Sequence, residues 1–100
     1  MKNGAWLLLV ASLVLLASCA ADVLVVDEAG TPVEGATVIP IAPSANGTPV
    51  VTDREGCADL PRGIFRWEAV AVQKTGYEGI PYWDARGSKP VRVTLRHRPR

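Results

Sequence analysis

Val91-Arg92-Val93-Thr94-Leu95-Arg96 alternates apolar and polar side chains without a break. A strand sends successive side chains to opposite faces, so a period of two marks a half-buried strand. Val91, Val93 and Leu95 are expected on a core, with Arg92, Thr94 and Arg96 in solvent, in a strand over residues 89–97.

Upstream, short apolar runs and turn residues take turns. Asp22-Val23-Leu24-Val25-Val26-Asp27 is a β-branched run, stopped by Glu28-Ala29-Gly30-Thr31-Pro32. A second strand is expected over residues 36–42, with Pro40 predicting an edge or a bulge because it lacks a backbone donor. The turn Pro43-Ser44-Ala45-Asn46-Gly47-Thr48 leads to a third strand over 49–52, and Asp53-Arg54-Glu55-Gly56 leads to a fourth over 57–60. The longest strand is expected over 64–73. There Phe65 and Trp67 share one parity and Val70 and Val72 the other, so a β-bulge is predicted near Glu68-Ala69. A weaker strand covers 80–83. With no helical periodicity after residue 18, the pattern predicts an all-β fold, a single small seven-stranded Greek-key β-sandwich.

Residues 1–18 read as an address. Lys2 is followed by the uncharged run from Ala5 to Ala17, which suits a signal-peptide core and falls short of the ~20 apolar residues of a membrane span. Leu16-Ala17-Ser18-Cys19 then resembles the bacterial lipobox. The resemblance implies cleavage before Cys19, a diacylglyceryl thioether on its sulfur, and acylation (palmitate) of the freed amine. Two or more acyl chains anchor stably where one is marginal. Ala20 and Ala21, with no Asp directly after the cysteine, point to the outer membrane if the source is Gram-negative. An ordinary secretory signal cleaved near Ala20-Ala21 is the competing reading.

The chain beyond the leader has room for one domain. The full sequence has 11 Lys and Arg against 10 Asp and Glu, and one of those cations, Lys2, lies in the leader. Such a balance offers no argument for nucleic acid or for electrostatic membrane binding. Arg92, Arg96, Arg98 and Arg100 read as a solvated strand face and tail. With Cys19 lipidated, Cys57 is the remaining thiol, and no intramolecular disulfide is expected.

The turn chemistry resembles a known family. Val25-Val26-Asp27-Glu28-Ala29-Gly30-Thr31-Pro32-Val33-Glu34-Gly35-Ala36-Thr37-Val38, then Thr52-Asp53-Arg54-Glu55-Gly56-Cys57-Ala58-Asp59-Leu60, then Lys74-Thr75-Gly76-Tyr77-Glu78 resemble landmarks of the carboxypeptidase regulatory-like domain, in that order. The resemblance implies a transthyretin-like, immunoglobulin-like β-sandwich over residues 22–97, with 19–21 as the anchored start and 98–100 as a tail. Two departures are the longer stretch between Gly63 and Gly76 and Ala58 where many members carry an aromatic.

Catalytic groups are scarce. His97 is the one histidine, Ser44 and Ser88 lie in turns without a nearby base, and no Cys/His cluster has metal-ligand spacing. Asp27-Glu28 and Asp53/Glu55 are read as turn caps rather than cation ligands. Transthyretin-like hydrolases use several histidines, which are missing here. No enzyme, cofactor or metal is expected. Two binding features stand out. Tyr77, Tyr82 and Trp83 surround a Pro/Gly loop and suit stacking on a sugar or anchoring a partner, although covering the end of the sandwich is the favoured reading. Cys57 faces outward if Ala58 and Leu60 face inward, as a free thiol able to pair between chains, and a buried cysteine acting as a small hydrophobe is the equal alternative. The sequence therefore predicts a non-enzymatic envelope lipoprotein, a membrane-tethered β-sandwich acting as a structural module or as an interaction module for an envelope protein, with a carbohydrate-binding module as the alternative.

Overall fold

The computed structural model describes residues 19–62 and 66–99; the leader, Gly63, Ile64, Phe65 and Arg100 lie outside them. Among the described residues there is no helix long and apolar enough to cross a membrane. The fold is all-β. Among the described residues seven strands run in the order β1 (Val23–Asp27), β2 (Thr37–Ile41), β3 (Val50–Val51), β4 (Cys57–Ala58), β5 (Ala69–Gln73), β6 (Ile80–Asp84) and β7 (Val91–Leu95). They form a three-stranded sheet β4-β1-β7 and a four-stranded sheet β3-β2-β5-β6. β1 and β7 pair in parallel, Val23 opposite Val91 through Asp27 opposite Leu95, and the remaining pairs are antiparallel.

Both sheets feed one core. Val23, Val25, Val91, Val93 and Leu95 meet Val38, Val70 and Val72, all buried. The alternation in β7 is realised: Val91, Val93 and Leu95 are buried, Arg92 is exposed and Thr94 half-buried between them, and Arg96 just beyond the strand is exposed. Burying each such Val or Leu contributes roughly 1.5–3 kcal/mol, so this stripe sets the position of β7 in the sheet.

Backbone pairing outside the strands is specific. The buried Thr52 hydroxyl accepts the Ala36 N–H at 2.9 Å and donates to the Val33 carbonyl at 2.7 Å. It thereby ties the link between β1 and β2 to the end of β3. Gly56 has φ +78°, and a Cβ there would collide with the carbonyl oxygen of Val25. The Gly56 carbonyl in turn accepts the Val25 N–H at 2.8 Å. Glycine is required at this crossing of the turn over β1.

Pro40 sits inside β2, which lies between β3 and β5, yet β3 pairs only with Thr37 and Val38. Beside Pro40 that edge is free of β3, and the Pro40 carbonyl accepts the Gly47 N–H at 2.8 Å. Locally the proline is on an edge, as its missing donor demands.

The long strand expected over 64–73 is corrected. β5 spans only Ala69–Gln73, Ile64 and Phe65 lie outside the described residues, and residues 66–68 take no strand assignment. Trp67 lies before β5, packs against the core, and donates its indole Nε1–H to the Pro61 carbonyl at 2.9 Å. The register shift falls between Val70 and Val72, not at Glu68-Ala69. Val70 faces Trp83 and Val72 faces Ile80, so β6 carries the extra residue. That bulge lets Ile80 and Trp83 both pack on the core while Pro81 and Tyr82 between them stay exposed.

Candidate functional site

Cys19 and Cys57 are joined. β4 pairs with β1 so that Cys57 lies opposite Leu24 and Ala58 opposite Val23. Ala58 and Leu60 are buried, which turns Cys57 away from the core toward the segment entering β1. The Cys19 sulfur meets it there in a disulfide with a Cα–Cα separation of 6.0 Å. The expectation of a lone Cys57 thiol without an intramolecular partner is therefore corrected: among the described residues there is no free cysteine. Strand alternation left Cys57 either outward or buried, and the pairing of β4 with β1 decides for outward. Its partner was not legible, because the segment before β1 has no periodicity to show where it folds. A Cys19 sulfur holds either a thioether or a disulfide, so the two chemistries exclude each other.

The three aromatics do not form one platform. Tyr82 is exposed, whereas Tyr77 and Trp83 are half-buried against the core. Tyr82 and Trp83 are adjacent in β6 and point to opposite faces. Tyr77 is drawn to the other end of the chain, where residues 76–78 run beside 96–98: the Glu78 N–H donates to the Arg96 carbonyl at 2.8 Å and the Arg98 N–H to the Gly76 carbonyl at 2.9 Å. Its ring lies over that of His97 with centroids 4.4 Å apart.

His97 also meets the turn after β1. Its ring Nδ1 lies 2.7 Å from Glu28 Oε1, and its backbone N–H donates to Glu28 Oε2 at 2.9 Å. Hydrogen bonding to its own backbone N–H, then to the His97 ring, holds the Glu28 carboxyl below its ordinary value. Asp27 stands beside them, close enough for the three to share an ion. Its Oδ1 accepts the Ala29 and Thr31 N–H groups, both at 2.9 Å. The Asp27 contacts are those of a turn cap, whereas the Glu28 carboxylate caps no turn and instead staples His97 to the first turn.

A third feature was not read from the sequence. A cleft of about 690 Å³ opens at the pole where β1, β5 and β7 begin and β2 and β6 end. Arg62, Arg66, Arg86 and Lys89 line it together with Asp22, Glu68 and the Trp67 indole. Arg86 is paired with Asp84 at 3.0 Å, and the Asp22 carboxylate accepts the Leu60 N–H at 2.9 Å. Among the described residues, Arg62, Arg66 and Lys89 make no ion pair. The volume is within the range of small-molecule sites, roughly 300–1,000 Å³. Little in the sequence signals it: Arg62 and Arg66 are close in the chain, but the other cations come from distant segments.

Searched against protein-family models the chain matches none, and no curated protein matches it.

Proposed function

We propose that this chain is a non-enzymatic cell-envelope lipoprotein. A small Greek-key β-sandwich of the carboxypeptidase regulatory-like, transthyretin-like kind is held at a membrane by lipid on Cys19 and serves as an interaction module. The observation that carries this reading is the run Leu16-Ala17-Ser18-Cys19, followed by β1 at Val23. A lipobox normally ends where a folded domain or its linker begins, and here only residues 20–22 separate the thioether from the first core strand. The domain would sit directly on the bilayer, in the outer membrane for a Gram-negative source. The turn motifs that resemble the family support the sandwich topology, as do two sheets sharing one core.

The Cys19–Cys57 pairing favours a second reading, an exported domain closed by a disulfide and not acylated. Mass analysis of the N-terminal peptide from native membranes separates the two. A diacylglyceryl adduct on Cys19, palmitate incorporation, and loss of both in Cys19→Ala support the lipoprotein. An intact Cys19–Cys57 crosslink in a soluble product, with no lipid adduct, overturns it in favour of the second reading.

A further inference from the structure

We propose that the cleft at the tether pole binds a zwitterionic phosphate headgroup, a phosphodiester bearing a cationic amine, on the membrane to which Cys19 is attached. The placement on a membrane rests on the lipoprotein reading above; the ligand chemistry rests on the cleft.

Position comes first. Asp22 lines the cleft and lies three residues after Cys19, and the Asp22 carbonyl accepts the Val91 N–H at 2.8 Å. The cleft therefore opens at the end of the domain that a lipid on Cys19 would hold nearest the bilayer. An overall balanced chain concentrates four cations there, three of them without an ion pair among the described residues. Guanidinium groups present donors in a planar fork that matches phosphate oxygens, so Arg62 and Arg66 suit the phosphate, with Lys89 adding a point charge.

The same cleft holds carboxylates, which decide the class of phosphate. Glu68 is half-buried in the wall, and its side chain has no hydrogen-bond partner or ion pair among the described residues. A purely anionic ligand would be repelled by Glu68 and by Asp22. A headgroup with an ammonium beside its phosphate satisfies both signs at once. Trp67 lines the cleft as well, and an indole attracts an ammonium that comes within about 6 Å of its centroid. The indole is held by the Pro61 carbonyl rather than free to rotate. Cations, carboxylate and indole together fit an aminoalkyl phosphate better than an inorganic anion.

The test uses the mature chain from Cys19, both acylated in a maltoside detergent and unacylated. Each is titrated with glycerophosphoethanolamine, glycerol 3-phosphate and ethanolamine while the Trp67 indole N–H resonance is followed. Saturable binding of glycerophosphoethanolamine, tighter than of either fragment, is expected. Arg62→Gln with Arg66→Gln should weaken it at least about tenfold, equivalent to about 1.4 kcal/mol. Arg92→Gln with Arg96→Gln, on the outer face of β7, should leave it unchanged. Glu68→Gln should reverse the preference toward glycerol 3-phosphate, which a general basic patch would already favour in the unaltered chain. Equal losses from the two arginine pairs, or a preference for glycerol 3-phosphate from the start, overturn the site.

Vesicles identify the source. The unacylated chain should bind phosphatidylcholine vesicles containing phosphatidylethanolamine above those containing phosphatidylglycerol. Binding to the soluble headgroup without any vesicle binding overturns the membrane assignment. Because the unacylated chain reports on the cleft alone, failure there is distinct from absence of lipid on Cys19, which the mass of the native chain reads separately.

Discussion

Cys57 stands opposite Leu24 in the β1–β4 pairing and is bonded to Cys19, 38 residues earlier in the chain. A crosslink closing a loop of that size contributes typically about 2–4 kcal/mol by restricting the unfolded chain. Lipidation of Cys19 forfeits that contribution and replaces it with a membrane anchor. Cys57→Ala is accordingly expected to cost about 2–4 kcal/mol in the unacylated chain. In the acylated chain, where only a half-buried thiol is lost, the cost should be under about 1 kcal/mol. Urea denaturation of the two forms checks the difference.

Two glycines with positive φ should respond unequally to alanine. Gly56, at +78°, has the Val25 carbonyl oxygen where a Cβ would go, while Gly76, at +91°, has nothing within 4 Å. Gly76→Ala should cost only the backbone strain, about 1–2 kcal/mol. Gly56→Ala should cost clearly more, because the β1 backbone must also move. Thermal melts of the pair measure the gap.

Thr52→Val keeps the side-chain shape and removes the hydroxyl that serves Ala36 and Val33. Two buried backbone groups then lose a partner, with an expected loss of roughly 1–3 kcal/mol. Faster amide exchange at Ala36, ahead of the core strands, should accompany the change.

Glu28 titrates below 4.5 through hydrogen bonds from its own backbone and from His97. A carboxyl depressed by folding contributes stability above its unfolded value. That contribution is lost as pH falls from about 4.5 through the lower folded value. His97→Ala should move Glu28 upward toward 4.5 in a carboxyl NMR titration. Asp84 is the parallel case: the Arg86 side chain, then its N–H, lowers it from 3.8 to about 2. Its contribution is therefore complete above about 3.8 and fades toward pH 2. Arg86→Ala should return the Asp84 midpoint toward 3.8, whereas Arg92→Ala should not move it.

Local patterns legible in the chain correspond to structures that local physics dictates. Alternation over residues 91–95 predicted which side chains of β7 are buried, because side-chain direction repeats every two residues wherever a strand forms. The β-branched run that became β1, the tight turn at Gly56 and the edge at Pro40 stem from backbone preferences of single residues. Features that were not legible depend on neighbours across the fold. Trp67 lies before β5 and bonds the Pro61 carbonyl, and the bulge moved to β6, where Ile80 and Trp83 both reach the core.

Sequence alone determined the lipobox-like run ending at Cys19 and the all-β pattern, each from short local patterns, and left Cys57 either outward or buried. Tertiary structure decided that the two sulfurs meet and that Arg62, Arg66, Arg86 and Lys89 line one cleft with Trp67. The physical reason is that both depend on strand register and on where loops cross between the sheets. A balanced total charge says nothing about where its cations stand. Their convergence exists only once β1, β5 and β7 begin at the same end of the molecule.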